Sequence, residues 1–333
     1  MTATPDQGRT PRRGLLHGGG ADRPALAAAL MVGSLGLLGL QDAIVKIASD
    51  AVSLWQFQML RAGFNLGLLA LLARALWGEG RPRIRSLPAV ALRSALLVGA
   101  MLMFFGGVQY LALSQMAAGL YVFPLFVAAL SHLLLGERVG PRRIGAIAAG
   151  FLGALLLLQP WRAGFSPVQL MPVGAALCYA GTILTTRRLC REESPVALAF
   201  GVAVAFLIVG ASGALWFTLS PAADAAAWPY LLTGWRPLTV GALGAVFACS
   251  LLNLTANIGL ARAYQTAESS WLAPFDYSYL IFATLWGYLV FGDLPNAPGV
   301  AGMALIAGAG VYVAWRERRE KRLARANFNR ALR

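Results

Sequence analysis

Ten apolar stretches, each about 20 residues long, follow one another along the chain, and segments of that length and character are stable in the hydrocarbon core of a bilayer. They run near residues 24–47, 54–76, 89–111, 115–135, 141–160, 168–187, 196–219, 238–261, 269–291 and 298–315. None alternates with the period of two that a membrane barrel strand requires. All are continuous and rich in Leu, Ala and Gly, so the expected fold is an all-α membrane protein with ten transmembrane helices. Breaks such as Trp77-Gly78-Glu79-Gly80-Arg81-Pro82 and Gln159-Pro160-Trp161-Arg162 separate the runs. Composition agrees: 13% of the 333 residues are charged, against about 25% in soluble proteins.

Residues 1–23 read as a disordered cytoplasmic tail, 24–160 and 168–316 as two five-helix units, and 317–333 as a basic cytoplasmic tail. The first apolar run is too long for a signal-peptide core and carries Asp42 and Lys46. The net charge of +14 would suit nucleic acid, but its distribution points elsewhere. With the N-terminus inside, 24 of the 28 Lys and Arg fall on one side, leaving Lys46, Arg61, Arg162 and Arg236 on the other. Basic residues collect in cytoplasmic loops, so both termini are expected in the cytoplasm, with no nucleic-acid partner. The run Arg316-Glu317-Arg318-Arg319-Glu320-Lys321-Arg322 reads as an anchor for the last helix, with RNA or anionic lipid as the alternative.

The two units share an order of features. Leu135-Gly136-Glu137-Arg138 precedes Gly145 and Gly153, and Phe291-Gly292-Asp293-Leu294 precedes Gly302 and Gly310. Lys46 stands seven residues before Ser53, as Arg188 does before Pro195. An odd number of spans per unit turns the second copy upside down, so two inverted five-helix repeats are expected, with a site near the midplane between them. Small-residue stretches around Gly145–Gly150 and Gly302–Gly310 read as packing seams.

Ionisable groups inside a span are costly and therefore informative. Asp42 and Lys46 lie one turn apart and can pair on one helix face, as a structural ion pair or as a substrate or gating contact. Arg61 reads first as an anchor reaching the headgroups or pairing with Asp42 or Asp50. Asp276 lies about 11 Å into the ninth helix at 1.5 Å per residue, after Pro274, which can free backbone carbonyls. With Trp271 before it and Tyr277 and Tyr279 after it, its carboxylate can receive an ammonium group or a proton; the competing reading ties it to Arg262 or an Asn. Asn253 and Asn257 share a face of the eighth helix and can bind a polar substrate or join helices. Gln109, Tyr110, Gln115 and Tyr121 cluster around the start of the fourth span. Tyr121 and mid-span Tyr179 read as cavity lining, Pro124 as a hinge, and Glu137 as a tie between helix ends.

Catalytic readings find no support in the residue pattern. The histidines are His17 in the tail and His132 in an apolar helix; no metal-ligand spacing, nucleophile constellation or phosphate-binding glycine loop is present in the sequence. Cys178, Cys190 and Cys249 lie far apart and read as core thiols. No enzyme, cofactor or metal is expected.

The stretch Pro124-Leu-Phe-Val-Ala-Ala-Leu-Ser-His-Leu-Leu-Leu-Gly-Glu137, continuing Arg138-Val-Gly-Pro-Arg-Arg143, resembles the EamA family of the drug/metabolite transporter superfamily. Ala273-Pro274-Phe275-Asp276-Tyr277 and Phe291-Gly292-Asp293-Leu294-Pro295 carry the resemblance into the second half, so that it spans roughly residues 25–316. Asp276 and Asp293 stand where many relatives have Glu, which shortens the reach but keeps the charge. The resemblance implies a secondary transporter of the bacterial inner membrane, of a family composed mostly of exporters of amino acids and other metabolites. Some members move vitamins or nucleoside-like compounds, and import of a riboflavin- or S-adenosylmethionine-type molecule is the alternative. Partners are then a small-molecule substrate and the bilayer, and the reading allows a homodimer.

Overall fold

In the computed structural model, described over residues 24–77, 84–135, 141–159, 161, 166–267 and 269–331, the regular elements are all helices. The first half contains α1 (Pro24–Ala48), α2 (Leu54–Trp77), α3 (Leu87–Gly106), α4 (Leu113–Leu120), α5 (Phe123–Leu135) and α6 (Pro141–Leu158). The second contains α7 (Met171–Leu189), α8 (Pro195–Leu219), the short α9 (Pro229–Leu232), α10 (Val240–Thr266), α11 (Ser269–Asp276), α12 (Ser278–Phe291) and α13 (Ala297–Ala331). Every apolar run of the sequence is helical. Among the described residues, six helical stretches are long and apolar enough to cross a membrane.

Local chemistry sets several helix starts. Ser194 and Thr239 accept hydrogen bonds from the amides of Ala197 and Ala242, both at 3.1 Å, and so satisfy donors that a helix N-terminus leaves open. Pro24, Pro141 and Pro195 open their helices, where a missing N–H costs nothing. At the other end of α12, Gly292 adopts φ +70°, and its amide closes the helix on the Tyr288 carbonyl at 2.9 Å.

Two runs read as single spans are each divided. The fourth breaks between Leu120 and Phe123, and the ninth at Tyr277. Pro124 has no N–H with which to bond the Leu120 carbonyl and carry the helix through, so the break falls just ahead of α5 and Pro124 occupies that helix's first turn. Pro274 lies inside α11, which ends two residues later. The tenth run, expected to end near residue 315, continues as helix into the basic tail. Residues 1–23, the Gly136-Glu137-Arg138 segment and Arg162 lie outside the described residues.

Packing runs between the two halves of the chain. α1 lies against α10 and α12, α3 against α7, α2 against α8, and α6 against α13. The α6–α13 contact is the closest approach of the expected glycine seams. A Cβ added at Gly153 would come within 2.8 Å of the Gly302 carbonyl oxygen, and one at Gly302 within 2.5 Å of the Gly153 oxygen. Gly150 faces Leu125 and Gly310 faces the hydroxyl of Tyr277, whereas Gly145 and Gly308 have open space around them.

Because a backbone carbonyl cannot swing aside as a side chain does, Gly302→Val is expected to cost about 1–3 kcal/mol. Thermal unfolding in detergent should show a lowered Tm for it, and an unchanged one for Gly308→Val. Equal Tm values for the two variants would place the seam elsewhere.

Candidate functional site

The helix breaks do more than kink two spans. At the second, the Leu280 amide bonds the Tyr277 carbonyl at 3.1 Å, and the Asp276 carbonyl, one residue earlier, accepts the Tyr121 hydroxyl at 3.0 Å. Tyr121 itself closes α4 at the first break. Both junctions thus turn an aromatic residue toward the other: the rings of Tyr121 and Tyr277 are 5.4 Å apart and tilted edge to face. Tyr279, on the first turn of α12, stacks on Tyr121 at 5.3 Å. Phe123 extends the cluster, at 5.8 Å from Tyr121 and 5.0 Å from Tyr179 of α7.

Two carboxylates bracket these rings. Asp42 of α1, 4% exposed, accepts hydrogen bonds from the Tyr279 hydroxyl and, at 3.2 Å, from the Gln41 amide. Asp276 ends α11 within electrostatic reach of Tyr121, Tyr179, Tyr264 and Tyr277. Among the described residues no hydrogen bond joins it to Arg262, Asn253 or Asn257. Asp42, Tyr279, Tyr121 and the Asp276 backbone form a continuous polar path from α1 through α12 and α4 to α11. Such a site can stack a planar ring, accept protons or hydrogen bonds at either carboxylate, and donate from phenolic hydroxyls.

The i, i+4 pair of Asp42 and Lys46 does not form. Lys46 donates instead to the Leu111 carbonyl at 2.9 Å and to Asp293 at 3.2 Å, and lies 4.8 Å from the centre of the Phe291 ring. The amine thus ties the end of α1 to the α3–α4 link and to the residues after α12. Further ties join the same end of the bundle. Gln109 donates to Asp50 at 3.1 Å, Gln56 and Arg236 bond reciprocally, and the amides of Gln159 and Asn296 pair at 2.9 and 3.2 Å.

Arg61 also departs from expectation. It does not reach a headgroup, and it forms no ion pair with Asp42 or Asp50. It is 6% exposed, with the rings of Phe57, Phe105 and Phe206 at 5.5, 5.0 and 5.4 Å from its guanidinium carbon. Apolar faces on α2, α3 and α8 draw it inward, and cation–π attraction replaces part of its hydration.

The remaining expected residues scatter. Tyr110 packs edge-on against Trp228, and Trp271 packs at a tilt against Phe275, both at 4.9 Å. Asn257 is exposed and turns its amide back to the Asn253 carbonyl at 2.7 Å, so the two do not present a joint pair of amides to the cluster. Of the residues singled out from the sequence, the structure brings together Asp42, Asp276, Tyr277, Tyr121 and Tyr179. It adds Tyr279 and Gln41 as partners of Asp42, and Asp293 as the partner of Lys46. From the sequence Tyr279 was read only as an aromatic neighbour of Asp276; nothing local ties it to Asp42, because 237 residues separate the two. Among the described residues no cluster of His, Cys, Asp or Glu could hold a metal, and the three cysteines are free thiols.

Residues 25–159 match the EamA-like transporter family. The chain is 32% identical to a riboflavin transporter of Rhizobium johnstonii over 216 residues, which are 65% of this chain and 66% of that protein, just under two thirds of its length. It is 30% identical to a riboflavin transporter of Brucella anthropi over 67% of this chain and 74% of that one. A pseudopaline exporter of Pseudomonas aeruginosa is 24% identical over 80% of this chain and 88% of its own length. A crystal structure shares the fold with a TM-score of 0.54 at 20% identity, covering 88% of this chain and 98% of that one.

Tyr279→Phe keeps the stacked ring but removes a donor from a buried carboxylate, a loss of about 1.5–3 kcal/mol for a bond to a charged group. It is expected to lower Tm, whereas Tyr230→Phe, whose buried hydroxyl has no partner among the described residues, is expected to leave Tm unchanged or raise it. Circular dichroism melts of the purified variants make the comparison. An unchanged Tm for Tyr279→Phe would remove the bond from the account.

Proposed function

The chain belongs to the EamA-like transporter family, and from that premise we propose a specific reading: it is a secondary transporter that holds its substrate between the two helix breaks. It is a multi-pass membrane protein whose relatives carry transporter names. The observation that carries the reading is the meeting of Tyr121, Tyr277 and Tyr279 with Asp42 and Asp276 inside an otherwise apolar bundle. Buried acids and tyrosines serve stability poorly in a membrane and suit a passage for a polar molecule.

Alternating access needs two halves that can exchange conformations. The helix pairing supports such halves. The contact of α1 with α10 has a counterpart in α7 with α3, that of α1 with α12 in α7 with α5, and that of α3 with α8 in α10 with α2. α6–α13 and α2–α8 are each their own counterpart. Tyr121 and Tyr277 each stand 15 residues before the glycine of a Gly-acid pair, Gly136-Glu137 and Gly292-Asp293. Each break carries its tyrosine at the same place in its repeat. With both termini in the cytoplasm of a bacterium, the end tied by Lys46 and Asp293 faces outward from the inner membrane.

For the substrate, the stacked tyrosines favour a molecule with a planar ring, and the relatives named riboflavin transporters support a vitamin or nucleoside-like compound. Amino acids or their derivatives, moved outward, are the second reading. Its support is two carboxylates able to receive an ammonium group and one relative named as a pseudopaline exporter. In proteoliposomes, labelled riboflavin is expected to cross, and an excess of mixed amino acids to leave the rate unchanged. Asp276→Asn should slow transport at least about tenfold, the scale of a lost charged hydrogen bond, at unchanged expression. Undiminished transport in that variant removes Asp276 from the site, and competition by amino acids with no flavin movement selects the second reading. Collapse of the pH gradient is expected to change the rate, and indifference to it would indicate facilitated diffusion.

A further inference from the structure

We propose that Arg61 is the centre of an anion-binding subsite, which takes a carboxylate or phosphate group of the transported molecule; this deepens the transport reading and rests on it. Arg61 is buried among three phenyl rings. Among the described residues its guanidinium makes no hydrogen bond and no ion pair. A guanidinium keeps its proton and presents five donors in a planar fork. Phenyl faces attract its charge but satisfy no N–H direction. An arginine held for structure inside a membrane is expected to meet a carboxylate of its own chain, as Lys46 meets Asp293. Asp42, within electrostatic reach of Arg61, is taken by Tyr279 and Gln41 instead.

Other unmatched groups surround the fork. Tyr230 and Gln58 are 0% exposed, and the Tyr230 hydroxyl and both polar atoms of the Gln58 side chain have no partner among the described residues. Tyr230 lies within electrostatic reach of Arg61, and Gln58 is one turn before it on α2. Buried polar atoms are almost always bonded to something, so several orphans around one unpaired cation mark a place where a ligand or water belongs. The donors here are a guanidinium fork, a phenol and a carboxamide, a set matched to an oxyanion. Asp42 links this subsite to the rings through Tyr279 and Tyr121, so a single molecule carrying both a ring and an anionic group can span the two.

The test uses the full-length protein in detergent and two pairs of probes that differ in the anionic group: riboflavin 5′-phosphate against riboflavin, and nicotinate against nicotinamide. Binding is read by calorimetry and by ligand-induced thermal stabilisation. The wild type is expected to bind the anion of at least one pair about tenfold more tightly, the scale of one charge-assisted contact. Arg61→Gln should erase that preference without weakening the neutral member, and Arg61→Lys should keep part of it. If Arg61→Gln does not fold, the wild-type pairs together with Arg61→Lys decide. Equal affinities within both pairs, a preference that survives Arg61→Gln, or binding of neither anion overturns the subsite. Binding of riboflavin with no anion preference in either pair would overturn it while leaving the ring reading intact. An anion preference shown by nicotinate alone, with neither flavin bound, would do the reverse.

Discussion

A carboxylate between helices in hydrocarbon has no water to turn to, and the hydrogen bond from Tyr279 to Asp42 supplies what the bilayer withholds. That bond fixes α12 against the second half of α1. Once it is made, the stack of Tyr279 on Tyr121 sets the distance between the two broken helices. The Tyr121 hydroxyl then closes on a carbonyl at the second break.

The bundle divides its labour along its length. Where helices must be close, side chains have been deleted, as at Gly153 and Gly302. At Gly310 of the same pair of helices the missing side chain makes room for the Tyr277 hydroxyl, whereas Gly145 has open space around it. The end bearing Lys46 is held by groups from α1, the α3–α4 link and the α12–α13 link together, through one amine that bonds both the Leu111 carbonyl and the Asp293 carboxylate. The salt bridge is partly exposed, at 15% and 37% for its two side chains, which places it in the range of weak and reversible contacts.

The reach of the sequence followed the range of each interaction. Helical spans were legible because length and apolarity are local properties, and Pro124 and Pro274 announced both breaks for the same reason. Asp276, Tyr121, Tyr179 and Tyr277 were legible as a group because each is polar or aromatic at a depth where such residues are rare. Pairings were not. Lys46 stood within reach of Asp42, four residues away on one helix, while its acid partner stands 247 residues further on. Arg61 looked like an anchor because two of its three phenyl neighbours, Phe105 and Phe206, come from other helices and become neighbours only on folding. Asn257 shares a helix face with Asn253, but periodicity does not reveal that its amide bonds back to its own helix.

The central claim is that the substrate lies between the two breaks, against the tyrosine rings. The most direct measurement is a structure of the protein determined with riboflavin bound in a lipid nanodisc. The expected result is a planar ligand lying against Tyr121 and Tyr277, with polar contacts to the Asp42 or Asp276 carboxylate. A ligand seated at the α6–α13 seam or on the outer surface, with the tyrosine cluster still closed on itself, would contradict the account.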